Sequence, residues 1–173
     1  MNWPMGNSET AALIRSTDWS ATSLGPVETW SASLKTAIGL CVDSKFAMYL
    51  WWGPDSINIY NDAYIPLAGK DKHPQYFGRP AQEMWPEIWP TFKEFLTSVW
   101  TTGASIIQED FPLTIFRNGK NEETFFTFSY GPARDENGVI QGVHCTCIET
   151  TQKVRSQQKL TTSFNQLRNF FMQ

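Results

Sequence analysis

Two turn signals in residues 103–151 leave the chain little choice of fold there. Asn118-Gly119-Lys120 and Asp135-Glu136-Asn137-Gly138 both hold residues that accept positive φ at low cost, as a tight connection between antiparallel strands requires. Between them Phe126, Phe128 and Tyr130 alternate with Thr127 and Ser129; beyond the second, Val143, Cys145 and Cys147 alternate with His144 and Thr146. Each run offers one apolar face at period two, a face fit to line a core or a pocket. The three strands close on Glu149-Thr150-Thr151 and pass straight into a polar helix.

Upstream the period changes. Ser8 is placed to cap a short helix through Leu13 and Ile14, and Gly25-Pro26 to open a second one in which Val27, Trp30, Leu34, Ile38 and Cys41 form a stripe. Over 46–52 both alternating sets are apolar, as in a strand covered on two sides. A turn at Gly53-Pro54-Asp55, a strand over 57–60, and a helix capped by Asn61-Asp62 and stopped by Gly69 follow. The segment 70–80 reads as loop, and 83–89 as at most a helical turn broken by Pro86. Pro90 then starts a helix whose Phe92, Phe95, Leu96, Val99 and Trp100 share a face, with Gly103 as its stop. Two strands, helices and three hairpin-linked strands predict an α+β domain: a five-stranded antiparallel sheet with helices gathered on one face. The expected division is a helical cap at 1–44, the sheet-bearing body at 45–150 and a linker helix at 151–173.

At 173 residues the chain suits one full core. A net charge of −3 with mixed signs gives no basic stripe for nucleic acid, and the longest apolar run is too short to span a bilayer. No secretory signal opens the sequence, and three scattered cysteines make no disulfide framework, so a reducing cytoplasm is expected. Eight Trp and twelve Phe point to a thick core or an aromatic-lined cavity.

Several stretches resemble the PAS domain, the sensory module of bacterial signalling proteins, in the form found at the N-terminus of multi-PAS sensor histidine kinases. They are Asp18-Trp19-Ser20-Ala21-Thr22, Leu24-Gly25-Pro26, Trp51-Trp52-Gly53-Pro54-Asp55, Tyr60-Asn61-Asp62-Ala63-Tyr64, Gly78-Arg79-Pro80-Ala81, Trp85-Pro86-Glu87-Ile88-Trp89 and the run from Glu122-Glu123 to Ser129-Tyr130. Glu149-Thr150-Thr151 stands where PAS domains carry an Asp-Ile-Thr signalling triplet, with Glu for Asp and Thr for Ile. The resemblance implies that Glu149 binds a cationic or N–H partner at the sheet end, and that sheet shifts change how the following helix leaves. Leu160, Phe164, Leu167 and Phe171 follow the a/d rhythm of a short coiled coil. A homodimer through the N- and C-terminal helices is expected, with PAS or kinase domains downstream in the same polypeptide.

Phosphotransfer is not expected of this segment, which holds no glycine-rich ATP-binding signature and no His on a convincing helix. Haem needs an axial donor in the cavity, and His73 lies in a loop while His144 faces away from Cys145 and Cys147. A light-sensing flavin needs an Asn-Cys-Arg-Phe-Leu-Gln motif that does not occur. Only two thiols converge for a metal, and strand neighbours at i, i+2, about 6.5 Å apart, suit a disulfide poorly. What remains is a small apolar or aromatic molecule, with no further cofactor, held among Phe92, Leu96, Trp100, Phe126, Phe128, Cys145 and Cys147, with Tyr60, Asn61 and Tyr130 as polar anchors. The rival view is that the rings fill the core, leaving a dimerisation module without ligand; a small-molecule-binding enzyme domain is the third. Asn61-Asp62 is mainly a helix cap, Arg79 ties down a loop, and Glu122 and Glu123 are solvated charges.

Overall fold

The computed structural model describes residues 3–172. Its sheet holds β1 (Ala47–Trp52), β2 (Ile57–Tyr60), β3 (Ile106–Arg117), β4 (Lys120–Arg134) and β5 (Ile140–Glu149) in the order β2-β1-β5-β4-β3, antiparallel throughout. Both predicted joints are turns. Asn118 and Gly119 take φ of 54° and 79°, the two positive values that a twist-matched two-residue hairpin needs. At the second joint the Asp135 carboxylate accepts from the N–H groups of Asn137 and Val139, an Asx-type turn. The register sets Tyr49 opposite Cys145 and Cys145 opposite Tyr130, so three strands contribute to one ring-bearing face.

Among the described residues five α-helices accompany the sheet, α1 (Glu9–Ser16), α2 (Ala32–Asp43), α3 (Ile65–Ala68), α4 (Ala81–Met84) and α5 (Trp89–Thr102), and a sixth, α6 (Thr151–Phe171), leaves it. On α5, Phe92 and Val99 are buried while Trp100 lies at the surface. Gly103, at φ 69°, ends the helix in the left-handed conformation and returns its N–H to Val99 O. Phe92 and Phe95 meet Phe128 at centroid distances of 5.6 and 5.7 Å, contacts worth about 1 kcal/mol each beyond the area they bury. The opposite face is covered at β1 and β2, where α2 makes contact and Leu50 and Ile59 are buried.

The second helix does not run on from Pro26. Residues Val27–Thr29 form one 3-10 turn, Trp30 and Ser31 are extended, and α2 begins afresh with Ser31 Oγ accepting from Leu34 N. A serine able to cap outweighs continuation, and the Trp30 indole donates instead to Gly25 O at 2.9 Å. The apolar stripe offered for pairing between chains is spent within this one: Leu34, Ile38 and Cys41 are buried, and Leu40 stands exposed on the other side.

Asn61 joins these parts. Its Nδ2 donates to the carbonyls of Cys41, Ser44 and Phe46, and its Oδ1 accepts from Met48 N and Tyr64 N. One fully buried amide thus ties the end of α2, the entry to β1 and the turn before α3. Replacing it by Ala orphans several buried backbone groups, and Asn61→Ala is expected to lower stability by about 3 kcal/mol in urea denaturation.

Burial also reaches the thiols. Cys41, Cys145 and Cys147 are free and buried, and burial pushes the Cys41 thiol from its ordinary 9.0 up to about 12. Between these values the unfolded chain has lost this proton and the folded chain has kept it, so stability falls as pH rises through that window. Urea midpoints taken in steps across it are expected to decline, and Cys41→Ala to make the decline shallower.

Candidate functional site

The ring-bearing face of the sheet and the helices above it leave a cavity of about 40 Å³. From β1 come Tyr49 and Trp51, from β4 Phe126 and Phe128, from β5 Cys147, and from β3 Leu113 and Ile115. Tyr64, Leu67, Trp85, Ile88 and Phe92 close it from the helical side. Every one of these side chains is uncharged. The volume is a fraction of the ~150 Å³ of an apolar cavity known to accept benzene, so the rings fill most of the space.

Of the predicted pocket residues, Phe92, Phe126, Phe128 and Cys147 line the cavity. Tyr130 and Cys145 lie behind the wall, where the Tyr130 and Tyr49 hydroxyls are hydrogen bonded to each other. Tyr60 is displaced from the predicted role, since its hydroxyl bonds His73 Nδ1 at 2.8 Å, and His73 Nε2 meets Glu9 at 2.7 Å. Asn61 has no group left for a ligand, having spent its amide on backbone. Leu96 belongs to an outer groove with Trp89 and Lys93, and Trp100 is on the surface because α5 turns it away from the sheet.

The sequence reading missed eight lining residues, Tyr64 and Leu67 on the helical side among them. Leu113 and Ile115 alternate with Pro112 and Thr114, a period-two signal present in β3, and Tyr49 and Trp51 sit in a strand already read as apolar on both faces. Trp85 and Ile88 lie in an irregular strap between α4 and α5, where no periodicity marks a buried side.

Desolvation dominates the chemistry of this interior. Burial holds the phenols of Tyr49, Tyr64 and Tyr130 and the thiol of Cys145 well above their ordinary pKa values, so these groups stay neutral. Among the described residues no cluster of three His, Cys, Asp or Glu could hold a metal ion, and no helix is long and apolar enough to cross a membrane. His144 points away from the cavity, over Gly131 on the outer face.

At the sheet end the chemistry reverses. Arg117, with its side chain 11% exposed, donates Nη1 to Glu149 Oε1 at 2.6 Å and Nε to Glu122 Oε2 at 2.5 Å. Glu149 therefore has the cationic partner expected of it, whereas Glu122 is not the solvated charge predicted. Burial opposes the guanidinium charge, but the two carboxylates offset it and raise the Arg117 pKa. The same Nη1 reaches Leu67 O at 3.3 Å. The first turn of α6 is fastened alongside: Thr150 N donates to Phe125 O, Phe125 N to Thr151 Oγ1, and Lys153 pairs with Asp110 at 3.0 Å. Thr150 Oγ1 is buried without a hydrogen-bond partner, although the Asp110 carboxylate is near enough to feel it. Asp110 itself sits in a bulge of β3 at φ 46°.

Known structures share the fold. An RNA-binding light-oxygen-voltage receptor aligns with 88% of this chain and 43% of its own at 16% identity and a TM-score of 0.53. The Vibrio cholerae VqmA dimer aligns over 62% of this chain and 47% of its own at 25% identity and a TM-score of 0.50. The PAS domain of a Colwellia psychrerythraea protein aligns over 69% and 98% at 14% identity and 0.51. The chain thus spans less than half of the first two, and no curated protein matches it. The family model described as PAS fold matches residues 57–155, more than half of the sequence and the whole interval from β2 into α6. With the sheet order and the fastened exit helix, that match makes this chain a member of the PAS-fold family, a PAS-type sensory domain.

Proposed function

We propose that this domain is the sensing and relay module of a longer cytoplasmic signalling polypeptide of the histidine-kinase kind, converting changes in its ring-lined pocket into a change at α6. The observation that carries the reading is the placement of Arg117. Its guanidinium joins Leu67 O, beside a pocket-lining side chain, to Glu149 at the root of α6. A shift of α3 or β3 is felt there as a change in ion-pair geometry, and short charged contacts respond steeply to distance. The neutral phenols and thiols of the interior disfavour the enzyme reading, because acid–base chemistry needs a group that titrates near the working pH. Three buried free cysteines suit a reducing compartment.

The ligand in this reading is a small apolar or aromatic molecule, and haem and flavin are far larger than the space between the rings. The output is a pairing of α6 with its counterpart in a second copy, ahead of downstream PAS or kinase domains. Beyond Val154 every described residue of α6 is exposed, and Leu160, Phe164, Leu167 and Phe171 are 72%, 66%, 58% and 79% exposed. A seam of four large apolar residues at 4-3-4 spacing matches a coiled-coil face. The cap at 1–44, body at 45–150 and linker helix at 151–173 are the units of this scheme.

Two measurements test it. Arg117→Met and Glu149→Gln are each expected to speed hydrogen exchange in the first turns of α6 about tenfold while leaving β1 and β2 unchanged; equal exchange in variant and parent overturns the relay. Light scattering is expected to give a dimer for the parent and a monomer for the double variant Leu160→Ser, Phe164→Ser.

A further inference from the structure

Lys72 is an ammonium group almost without solvent. The residue is 5% exposed, and its Nζ donates to Met84 O at 2.8 Å and pairs with Glu87 Oε1 at 2.6 Å while standing 4.1 Å from the centroid of the Trp85 ring. Glu87 Oε1 also accepts from Phe116 N at 2.9 Å, covering a free N–H of the edge strand β3. A buried ion pair is a weak source of stability, since desolvation offsets most of the attraction, and its best-attested use is to specify one arrangement of the parts it joins.

The parts joined here are those that frame the pocket mouth. Most of the cavity wall is buried, but Leu67, Ile88 and Leu113 are half-exposed and mark its rim. Leu67 belongs to α3, just before the loop that carries Lys72. Ile88 follows Glu87 in the strap, and Leu113 lies in β3 three residues before Phe116. Lys72, Glu87 and the Phe116 N–H thus connect the three rim segments to one another. Between α4 and α5 the strap is held otherwise by the buried Trp85 ring and by two backbone bonds, Trp85 N to Ala81 O and Ile88 N to Trp85 O.

We infer that the Lys72–Glu87 pair bolts the mouth of the core pocket, and that the molecule which passes it is uncharged and about the size of a single ring. The inference rests on the sensory reading above and adds the gate and the ligand class. Charge is excluded because all the lining side chains are neutral and apolar or aromatic, so neither a carboxylate nor an ammonium finds a partner inside. Size is limited because the cavity of about 40 Å³ grows only by moving rim or strap. Drawing Glu87 away from Phe116 N moves the residue next to Arg117, which puts the gate one peptide unit from the ion pair on Glu149.

The test is a nuclear magnetic resonance titration of the whole domain with acetophenone, cumene and benzoate, three single rings differing in polarity and charge. Parent, Lys72→Met and Glu87→Gln proteins are compared. Lys72→Met keeps the stem against Trp85 and removes the charge; Glu87→Gln keeps an acceptor for Phe116 N and removes the ion pair, so one variant remains readable if the other unfolds. Acetophenone or cumene is expected to shift the signals of Trp85, Ile88 and Leu113, with association about tenfold faster in either variant, as for the loss of one pair holding a closed state. Benzoate is expected to leave them unmoved. Equal association rates in parent and variants overturn the gate; binding of benzoate, or of none of the three in any protein, overturns the ligand class. The relay reading fails separately, on hydrogen exchange in α6 of the Arg117 and Glu149 variants.

Discussion

The pairing register of β5 between β1 and β4 is the constraint on which the rest of the molecule depends. Side chains alternate across a sheet with a period of two, so a slip of one residue would send an entire set to the other face. Here Tyr49, Cys145 and Tyr130 come level, as do Ala47, Cys147 and Phe128, and the rings gather where α5 supplies Phe92 and Phe95. The opposite set behaves differently along the sheet. Leu50 and Ile59 are covered at β1 and β2, whereas Ile148 near the end of β5 and Ile107 on the edge strand β3 remain at the surface. Hairpin chemistry at Asn118-Gly119 and around Asp135 pins the same register from its ends.

Regular elements were legible in the sequence because a buried face leaves a periodic trace. The alternation at Phe126, Phe128 and Tyr130 located β4, and the i, i+3, i+4 spacing from Phe92 located α5 with its stop at Gly103. What escaped was set by local competition or by irregular backbone. Val27 to Cys41 has helical spacing throughout, yet Ser31 interrupts it because its hydroxyl caps a new start. Most of the candidate site escaped for related reasons. Trp85 and Ile88 reach the cavity from a strap with no period, Trp100 leaves it because α5 turns it away from the sheet while Val99 beside it is buried, and Asn61 is consumed by five backbone bonds. A residue's type suggests polar contact; only the fold decides with whom.

The N-terminal cap packs directly on the body. Trp30, Leu34 and Ile38 share one apolar core with Leu50 and Ile59, and the Asp62 carboxylate accepts from Glu9 N, Thr10 N and Thr10 Oγ1, anchoring the start of α1 from 52 residues away in sequence. A carboxylate at a helix N-terminus gains from both the free N–H groups and the dipole, and these contacts hold the Asp62 pKa below its ordinary value in spite of some burial. The carboxylate that reads as a cap for the following turn thus caps a helix far upstream, while Asn61 caps the turn.

Pocket and exit helix differ in kind, one neutral and dry, the other a network of charges, so a signal between them has to be carried by displacement of backbone. The cavity lining itself carries no charge for a dipole change to act on, whereas a shift of a strand moves everything attached to it. β3 is the strand that spans both. Leu113, Ile115 and Arg117 follow one another at intervals of two and therefore share a face: the first two line the cavity and the third holds Glu122 and Glu149. A ring pressing on Leu113 or Ile115 thus acts on the same rigid segment as the guanidinium, within about 14 Å at ~3.4 Å per residue. As an edge strand β3 has a partner on one side only, which leaves it freer to move than β5, and the bulge at Asp110 marks where it bends. Lys153 of α6 is paired with that same Asp110, so the strand is joined to the output helix on one side of the pocket-lining pair and to Glu149, the last residue of β5 before that helix, on the other.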